Sequence, residues 1–269
     1  GKKPKPLYSL EPSYKDLFDV TNKNTNESLF EVQYKKGSPG GATGSPWNNI
    51  FAPRFSEQEV VLVGNKGGQN MPTGTMIAAY EEGDPRKYVS MREGYISQSS
   101  GNWVPEPYVC KYYDVSVSGN DNGNNWIELR LADIYLLYSE ALVRTNGSKT
   151  IALSYLNKIR ERARNTPGDP DIEKPENLLA DYTLDSFSTN EEFLLAIERE
   201  RRVELAYENH RWFDLVRTGR AKDVMIESQR LDGYPEFTWD DKMLTYPIPM
   251  TVMQSNPGMI IQNSGYTQM

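Results

Sequence analysis

One stretch of the chain, residues 190–217, places many charged side chains on the same helical turns as a core-forming apolar stripe. Thr189 followed three residues later by Glu192 has the form of a capping box, which predicts that a helix begins here. The apolar residues at helical intervals are Leu194, Ile197, Leu205 and Trp212. Because no Gly or Pro interrupts the pattern before Gly219, the whole stretch is predicted to form one helix.

The charged residues of this predicted helix fall on its apolar face as well as on its polar one. Buried charges persist in proteins only when they are paired and hydrogen-bonded. We therefore expect these side chains to form a structural ion network. The expected members of this network are Glu198, Arg201, Glu204, Glu208, Arg211 and Asp214.

Two carboxylates of the same predicted helix could instead be catalytic. Glu200 and Glu204 stand four residues apart, so their Cβ atoms would lie about 5–6 Å from each other. A close pair of carboxylates is typical of retaining glycosidases. A general acid needs a raised pKa, however, and the adjacent Arg199, Arg201 and Arg202 would lower the pKa of these carboxyls. We therefore predict structural pairing, no catalytic residue and no enzyme.

The composition argues against several other functions. A net charge of −7 and a pI near 5.0 disfavour nucleic-acid binding, which requires a basic face. Cys110 is the only cysteine, and His210 is the only histidine and has no Cys or His companion for a zinc site. The polar loop at residues 118–125 fails the calcium-loop pattern, because Leu129 occupies the position that requires Glu. We predict no cofactor and no metal.

The pattern of residue types divides the chain into three regions. Residues 1–124 are rich in Gly, Pro, Ser and Asn and are expected to form a loop-rich ligand-side region, with short strands at 29–34 and 60–63. Residues 125–230 are expected to be helical almost from their start, and residues 231–269 to form an irregular tail. No apolar run in the chain approaches membrane-spanning length.

The helical region opens with two apolar stripes that a short turn connects. The first stripe is Leu131, Ile134, Tyr135, Tyr138, Ala141 and Leu142, and the second is Ala152, Tyr155, Leu156, Ile159 and Ala163. Asn146 and Gly147 end the first predicted helix, and Ser148 can cap the second. Such a connection makes an antiparallel hairpin, in which the small Ala141 and Ala152 would allow a close approach. The hairpin resembles one tetratricopeptide-type unit.

Six segments of the chain follow one another in the order found in a known family. They are ESLFEVQY, AYEEGDPRKY, ELRLADIYLLYSEAL, YLNKIRERAR, ERERRVELAYENHRWFDLVR, and YPIP with SNPGMIIQNSGY. Together they resemble the C-terminal part of the SusD/RagB outer-membrane nutrient-binding proteins. The resemblance covers nearly the whole chain, and the combination in order carries it rather than any single motif.

The resemblance implies a mainly α-helical fold, with tetratricopeptide-type hairpins and a long irregular region that contains short strands. It also implies non-catalytic capture of oligosaccharides or other nutrients at the cell surface of Bacteroidetes, and delivery to a SusC-type TonB-dependent transporter. The family's lipid-bearing cysteine and several scaffold helices would precede residue 1, so the N-terminal part of the same protein is a further expected partner. Cys110 lies in mid-chain and cannot be that anchor in the outer membrane.

A glycan site needs exposed aromatic rings beside polar groups, because sugars stack their C–H faces on rings and are recognised at their hydroxyls. Trp47 and Trp103 lie in loop contexts, in the region where the family places its ligand-binding aromatics. The predicted ligand-binding residues are Trp47, Trp103, Tyr95, Tyr108, Asn48, Asn49 and Asn102. The alternative is that these rings plug the loops against the scaffold.

Three functions thus remain open on the sequence. The leading one is non-catalytic binding of oligosaccharides or other nutrients. The second is a helical-repeat module that binds only protein, such as the transporter, and has no glycan affinity. The third is a glycan-cleaving enzyme, which would need an isolated pair of carboxylates in a cleft.

Overall fold

The chain divides into two units, the first ending at Asn209 and the second beginning at His210. In this computed structural model, the described residues are 7–37, 43–56, 58–114, 119–176 and 178–267. The fold is mainly helical with a few short strands, which confirms the predicted fold class.

The first unit joins short, scattered elements to three long helices. Its helices are α1 (Trp47–Phe51), α2 (Gly74–Ile77), α3 (Pro85–Ser90), α4 (Leu131–Arg144), α5 (Lys149–Arg164) and α6 (Asn190–Glu204). Its strands are β1 (Ser28–Val32), β2 (Met91–Arg92), β3 (Tyr95–Ile96), β4 (Trp103–Val104), β5 (Tyr108–Val109) and β6 (Trp126–Arg130). The strands form three antiparallel ribbons, β1 with β6, β2 with β5, and β3 with β4. Single 3₁₀ turns lie at Lys15–Phe18 and Leu184–Ser186.

Helices α4, α5 and α6 surround the largest apolar core, and α4 and α5 form the predicted hairpin. The core consists of Ala132, Leu136, Val143, Ala152, Leu156, Ile159, Phe193 and Ile197. Asn146 makes the turn in the left-handed region, at φ 52°, and the Ser148 side chain accepts a hydrogen bond from the backbone N–H of Ile151. Thr189 and Glu192 form the predicted capping box of α6.

The predicted apolar stripe of α4 is wrong in part. Ile134 and Tyr138 are 40% and 44% exposed, and Ala141 is exposed too. The small residue at the contact with α5 is Ser139, whose hydroxyl donates to the carbonyl oxygen of Ala152 at 2.8 Å. A hydroxyl that is bonded to a backbone carbonyl can lie in a helix interface almost as closely as a methyl group, so hydropathy alone assigned the wrong face.

The strand predicted at 29–34 forms as β1, although it ends at Val32. The strand predicted at 60–63 is wrong, because the structure has bends there. The predicted helical region also begins too early, because residues 126–130 form β6. In the β1–β6 ribbon Glu31 lies opposite Ile127. That partner is about a hundred residues away in the chain, so no local pattern could reveal it.

The prediction of one helix over 190–217 is also wrong. Helix α6 ends at Glu204, and a separate helix, α7 (Arg211–Arg217), begins the second unit. Between the two helices, Tyr207 and Asn209 have φ values of 65° and 66°, which is the left-handed region that ends a helix.

The helix stops without Gly or Pro because side chains from distant segments bind its last carbonyl groups. The carbonyl oxygen of Glu204 accepts from the Tyr14 hydroxyl at 3.0 Å and from Nη2 of Arg130 at 2.7 Å. The carbonyl oxygen of Ala206 accepts from Nζ of Lys111 at 2.8 Å. These donors replace the N–H groups of a further helical turn, and two of them bring positive charge to the negative end of the helix dipole.

The second unit contains α7, α8 (Ala221–Leu231) and α9 (Met250–Ser255), with a 3₁₀ turn at Asp241–Leu244. Trp212 and Trp239 pack within it, their ring centroids 6.4 Å apart. The Gln262 side chain fixes the closing segment by bonding both the N–H and the carbonyl of Ile248. Among the described residues of either unit, no helix has the length and apolar character needed to cross a membrane.

Candidate ligand-binding site

Trp103 presents its indole ring to solvent from the β3–β4 hairpin. Tyr95 lies opposite Val104 and Ile96 opposite Trp103, and 54% of Trp103 is exposed. Gly94 lies directly against the indole, since a Cβ atom on it would be 2.6 Å from Cζ2 of the ring. The same atom would be 2.2 Å from the carbonyl oxygen of Val104. The hairpin can therefore hold the ring in this position only because residue 94 has no side chain.

Gly94→Ala should displace the Trp103 indole and loosen the hairpin, because neither the ring nor the Val104 carbonyl has room for a methyl group. We expect a loss of about 1–3 kcal/mol in the free energy of unfolding, as for other overpacked sites. The indole N–H signal of Trp103 in a nitrogen-15 spectrum, assigned with Trp103→Phe, should shift. Ser99→Ala, in the exposed turn of the same hairpin, is the control and should leave both readouts unchanged. An unaltered indole signal in Gly94→Ala would contradict this role of the glycine.

The structure has two open cavities that share lining residues, and Trp103 of this hairpin lines the first. The first, the Trp103 cavity, has a volume of about 550 Å³, and its lining includes Trp103, Tyr80, Tyr88, Met91, Arg92 and Ile172. The second, the Tyr108 cavity, has a volume of about 520 Å³, and its lining includes Tyr108, Tyr88, Arg92, Tyr113 and Phe18. Both volumes fall in the range of small-molecule sites, and both linings are rich in aromatic rings.

Tyr88 and Arg92 line both cavities and form a common wall. The guanidinium carbon of Arg92 lies 3.6 Å from the centroid of the Tyr88 ring, a cation–π contact. Nη1 of Arg92 donates to the carbonyl oxygens of Tyr88 and Met91, the latter at 3.0 Å. These contacts fix the wall, and they leave Trp103 as the exposed ring of the first cavity.

The two predicted tyrosines have different surroundings. Tyr108 is half-buried in the second cavity, and burial raises the pKa of its hydroxyl to about 12. The phenol therefore stays protonated at neutral pH and can donate a hydrogen bond. Tyr95 is 9% exposed, and its hydroxyl donates to Glu106 at 3.4 Å. The hairpin thus places Tyr95 behind Trp103, with little of its ring exposed.

Trp47, Asn48 and Asn49 lie elsewhere, on α1, and line neither of the two cavities. Trp47 is half-buried and packs against Trp126 and Phe51, at centroid distances of 4.9 and 6.1 Å. The amide of Asn48 donates to the carbonyl of residue 114 at 2.6 Å, and that of Asn49 donates to the carbonyl of residue 63 at 2.7 Å. In this structure the three side chains tie loops together, which favours the alternative that they serve packing.

Asn102 lies next to Trp103 on the hairpin turn and is exposed. Its carbonyl oxygen accepts from the N–H of Ser97 at 2.9 Å, and its own N–H donates to the Ser100 hydroxyl at 3.3 Å. Its side-chain amide forms no hydrogen bond with any residue that the structure describes. The amide is therefore available to a ligand, although Asn102 lines neither cavity.

The structure adds residues that sequence reasoning missed, foremost Tyr88, Arg92 and Tyr113. The sequence Asp84-Pro85 is typical of a turn or a helix start, and in the structure Asp84 caps α3. Tyr88 lies on α3 and Arg92 on β2, so helical spacing does not explain their contact, and no local pattern in the sequence indicated it.

The predicted ion network has Glu204 at its centre. Its fully buried carboxylate accepts from Arg130 at 2.6 Å, from Arg86 at 3.2 Å and from Arg162. Burial by itself would raise the pKa of this carboxyl, but the three guanidiniums, Arg162 foremost, lower the pKa well below its usual range. Glu204 is therefore ionised and fully paired at neutral pH.

Glu208 forms a second centre in the network. It accepts from Nε of Arg130 at 2.7 Å and from Nζ of Lys111 at 2.5 Å. Burial lowers the pKa of Lys111 to about 8, against the opposing effect of Glu208. Arg130 thus connects Glu208 to Glu204 through a single buried guanidinium.

The remaining expected members lie at the edges or in the second unit. Arg201 pairs with Asp133 at 2.8 Å, and in the second unit Asp214 pairs with Arg217 at 2.8 Å. Glu198 and Arg211 are half-buried. The partners that sequence reasoning missed come from other parts of the chain and are Arg86, Arg130, Arg162, Glu27 and Lys111.

Glu200 and Glu204, the pair considered for catalysis, are both buried and both paired with arginines. Glu200 accepts from Arg86 at 2.5 Å and from Arg160 at 3.1 Å. A general acid needs a raised pKa and access to its substrate, and the lowered pKa of Glu204 is the opposite condition. The geometry of this pair is that of a structural salt-bridge cluster.

The fold and the cavities define a class of protein, a helical scaffold with aromatic-lined cavities among its loops and short strands. More specifically, the chain belongs to the SusD family, whose sequence model matches residues 15–266. The expected family membership is thereby confirmed.

Known relatives agree with this assignment. The chain is 27% identical to SusD-like protein P25 of Formosa agariphila, over 96% of this chain and 53% of the relative. It is similar to the laminarihexaose complex of surface glycan-binding protein A from Bacteroides thetaiotaomicron, with a TM-score of 0.70 and 22% identity over 97% of this chain and 56% of the other. It is also similar to a laminarin-binding SusD-like protein, with a TM-score of 0.65 and 26% identity over 97% of this chain and 54% of the other. The chain spans about half the length of the curated relatives it matches.

Proposed function

We propose that this chain forms the ligand side of a glycan-binding protein that works without catalysis. The observation that carries the proposal is the exposed indole of Trp103 at a cavity of about 550 Å³. The similar structures support it, since one contains laminarihexaose and another is a laminarin-binding SusD-like protein. In the full-length protein we place it on the outer membrane surface, lipid-anchored, where it delivers its ligand to a SusC-type TonB-dependent transporter.

The site residues would divide the work of recognition. The Trp103 ring would stack on a sugar face, and the protonated hydroxyl of Tyr108 and the amide of Asn102 would bond sugar hydroxyls. Trp47, Asn48 and Asn49 would act indirectly, by holding the loops. Most of the binding free energy would then come from the Trp103 ring, so a single substitution at Trp103 can test the proposal.

Trp103→Ala should reduce glycan affinity at least tenfold, because it removes the stacking surface of the site. Affinity gels that contain laminarin or acidic polysaccharides would compare the variant with wild type, and calorimetry would measure the affinity for the glycan that retards it. Phe55→Ala removes an exposed aromatic ring that lines neither cavity and is the matched control. Unchanged retardation of Trp103→Ala would contradict the site. Absence of retardation by any glycan would contradict the function, and release of reducing ends would point to an enzyme.

A protein-interaction function is the second candidate. Ile134 and Tyr138 on α4 and Ile151 on α5 are large apolar side chains at 40–44% exposure. Exposed apolar side chains on neighbouring helices are typical of contacts with another polypeptide. The N-terminal part of the same protein is the expected partner on this face. Binding of protein with no affinity for any glycan would favour this function alone.

A further inference from the structure

Arg92 differs from the buried arginines of the first unit. Those arginines are Arg86, Arg130, Arg160, Arg162 and Arg201, and each pairs with a carboxylate. Arg92 is half-buried yet forms no ion pair with any residue in the described ranges. Withdrawing a guanidinium from water has a cost that an anion normally offsets. No residue in these ranges supplies an anion for Arg92.

The bonds that Arg92 does form leave one edge of the guanidinium unused. Nη1 donates to the carbonyls of Tyr88 and Met91 and to Sγ of Cys110, the last at 3.2 Å. The Tyr88 ring supports the plane of the group. Nε and Nη2 form no hydrogen bond within the described structure. These two groups lie side by side and make the planar fork that binds a carboxylate through two parallel hydrogen bonds.

The two carboxylates in the lining of the Tyr108 cavity are held by other groups. Asp19 accepts from the N–H and the hydroxyl of Thr21, at 2.8 and 2.7 Å. Glu59 accepts from the N–H of Gln98 at 3.0 Å. Neither forms an ion pair with Arg92. The lining of the Trp103 cavity contains five further carboxylates, none of which pairs with Arg92, and Glu81, Asp84 and Glu93 among them pair with other cations. The fork is therefore not neutralised from within either cavity. The net charge of the chain is −7, so the protein as a whole does not attract anions. Because salt screens distant charges, the guanidinium of Arg92 can still attract an anion at short range.

We propose that Arg92 recognises the anionic group of an acidic sugar, and that the glycan ligand is therefore an acidic oligosaccharide. The inference rests on the proposed glycan-binding function and names its ligand class. A uronate carboxylate fits the planar fork, and a sulfate ester presents the same oxyanion chemistry. Because Arg92 lines both cavities, it can bind the anionic group while Trp103 stacks on a sugar in the adjacent cavity.

The first test needs only the wild-type chain. Calorimetry would measure its affinity for galacturonate oligosaccharides, for the same oligosaccharides after chemical reduction of the carboxyl groups, and for sulfated galactan oligosaccharides. We expect at least tenfold tighter binding of the galacturonate form than of the reduced form. Preference for the sulfated form over its desulfated counterpart would support the same oxyanion site with sulfate as the source. Equal binding of charged and uncharged forms would overturn the inference while leaving glycan binding intact, and no binding of any glycan would overturn both.

The second test assigns the preference to Arg92. Arg92→Gln keeps polarity but removes the charge and the fork, so it should abolish the tenfold preference for the charged form. Arg92→Lys keeps a charge without the fork and should retain only part of the preference. Arg54→Gln changes an exposed arginine that lines neither cavity and is the matched control. Circular dichroism would verify that each variant is folded. A folded Arg92→Gln that keeps the full preference would overturn the assignment.

Discussion

Replacing Glu204 by glutamine should lower the free energy of unfolding by about 3–5 kcal/mol. The substitution keeps the shape of the side chain but leaves Arg86, Arg130 and Arg162 without their shared carboxylate in a fully buried position. Each guanidinium keeps a second carboxylate partner, but the buried cluster loses one negative charge and is left with an excess of positive charge, which is strongly destabilising. Urea denaturation followed by circular dichroism would measure the loss.

Asp181→Asn is the matched control, because Asp181 lies in the same unit and is exposed, and its partner Arg164 is partly exposed. Exposed ion pairs contribute about 0–1 kcal/mol, so this variant should stay close to wild type. A loss in Glu204→Gln no larger than in the control would show that the network contributes little to stability.

The pH dependence should follow from the lowered pKa of Glu204. A carboxyl whose pKa is lower in the folded than in the unfolded state stabilises the protein above its ordinary pKa of 4.5, and this stabilisation is lost as the pH falls below that value. The lowered pKa of Glu208 acts in the same direction. The wild type should therefore lose stability steeply on acidification below that value. Glu204→Gln should lose less over the same range, because it lacks one of the titrating groups.

Trp47→Ala should lower the free energy of unfolding by about 3 kcal/mol, as for other large aromatic residues replaced by alanine in a packed cluster. The ring contacts Tyr34, Phe51 and Trp126, and its loss would leave a gap between α1 and β6. Trp47→Phe should cost less, because it retains a ring and removes an indole N–H that is buried without a partner among the described residues.

These two variants also separate packing from ligand binding at Trp47. If the residue serves packing, folded Trp47→Phe keeps its full glycan affinity, whereas Trp103→Ala loses it. Denaturation and affinity gels on the same preparations would give both readouts. Loss of glycan binding in a folded Trp47→Phe would return Trp47 to the ligand site.

Local signals in the sequence predicted much of the helical framework. The capping box at Thr189 and Glu192, the turn at Asn146 and the Ser148 cap are all present. Each of these features depends only on residues within four positions of it in the chain, so it can be predicted from the local sequence. The ordered set of motifs went further and gave the family, which the match over residues 15–266 confirms.

Long-range contacts decided what the local signals could not. The end of α6 depends on Tyr14, Arg130 and Lys111, which bind its last carbonyl groups from distant segments. For the same reason β6 replaced the predicted start of the helical region, since its partner β1 lies far away in the chain.

The sequence by itself determined the family, the helical hairpin and the presence of charges that had to pair. Only the tertiary structure decided which partners those charges have, and that Trp103 lies at an open cavity while Trp47 lies in an aromatic cluster. The two tryptophans have similar loop contexts in the sequence, but their exposure depends on rings and backbone that other segments bring to them. Arg92 shows the same limit, because an arginine without a carboxylate can be recognised only when its whole surroundings are known.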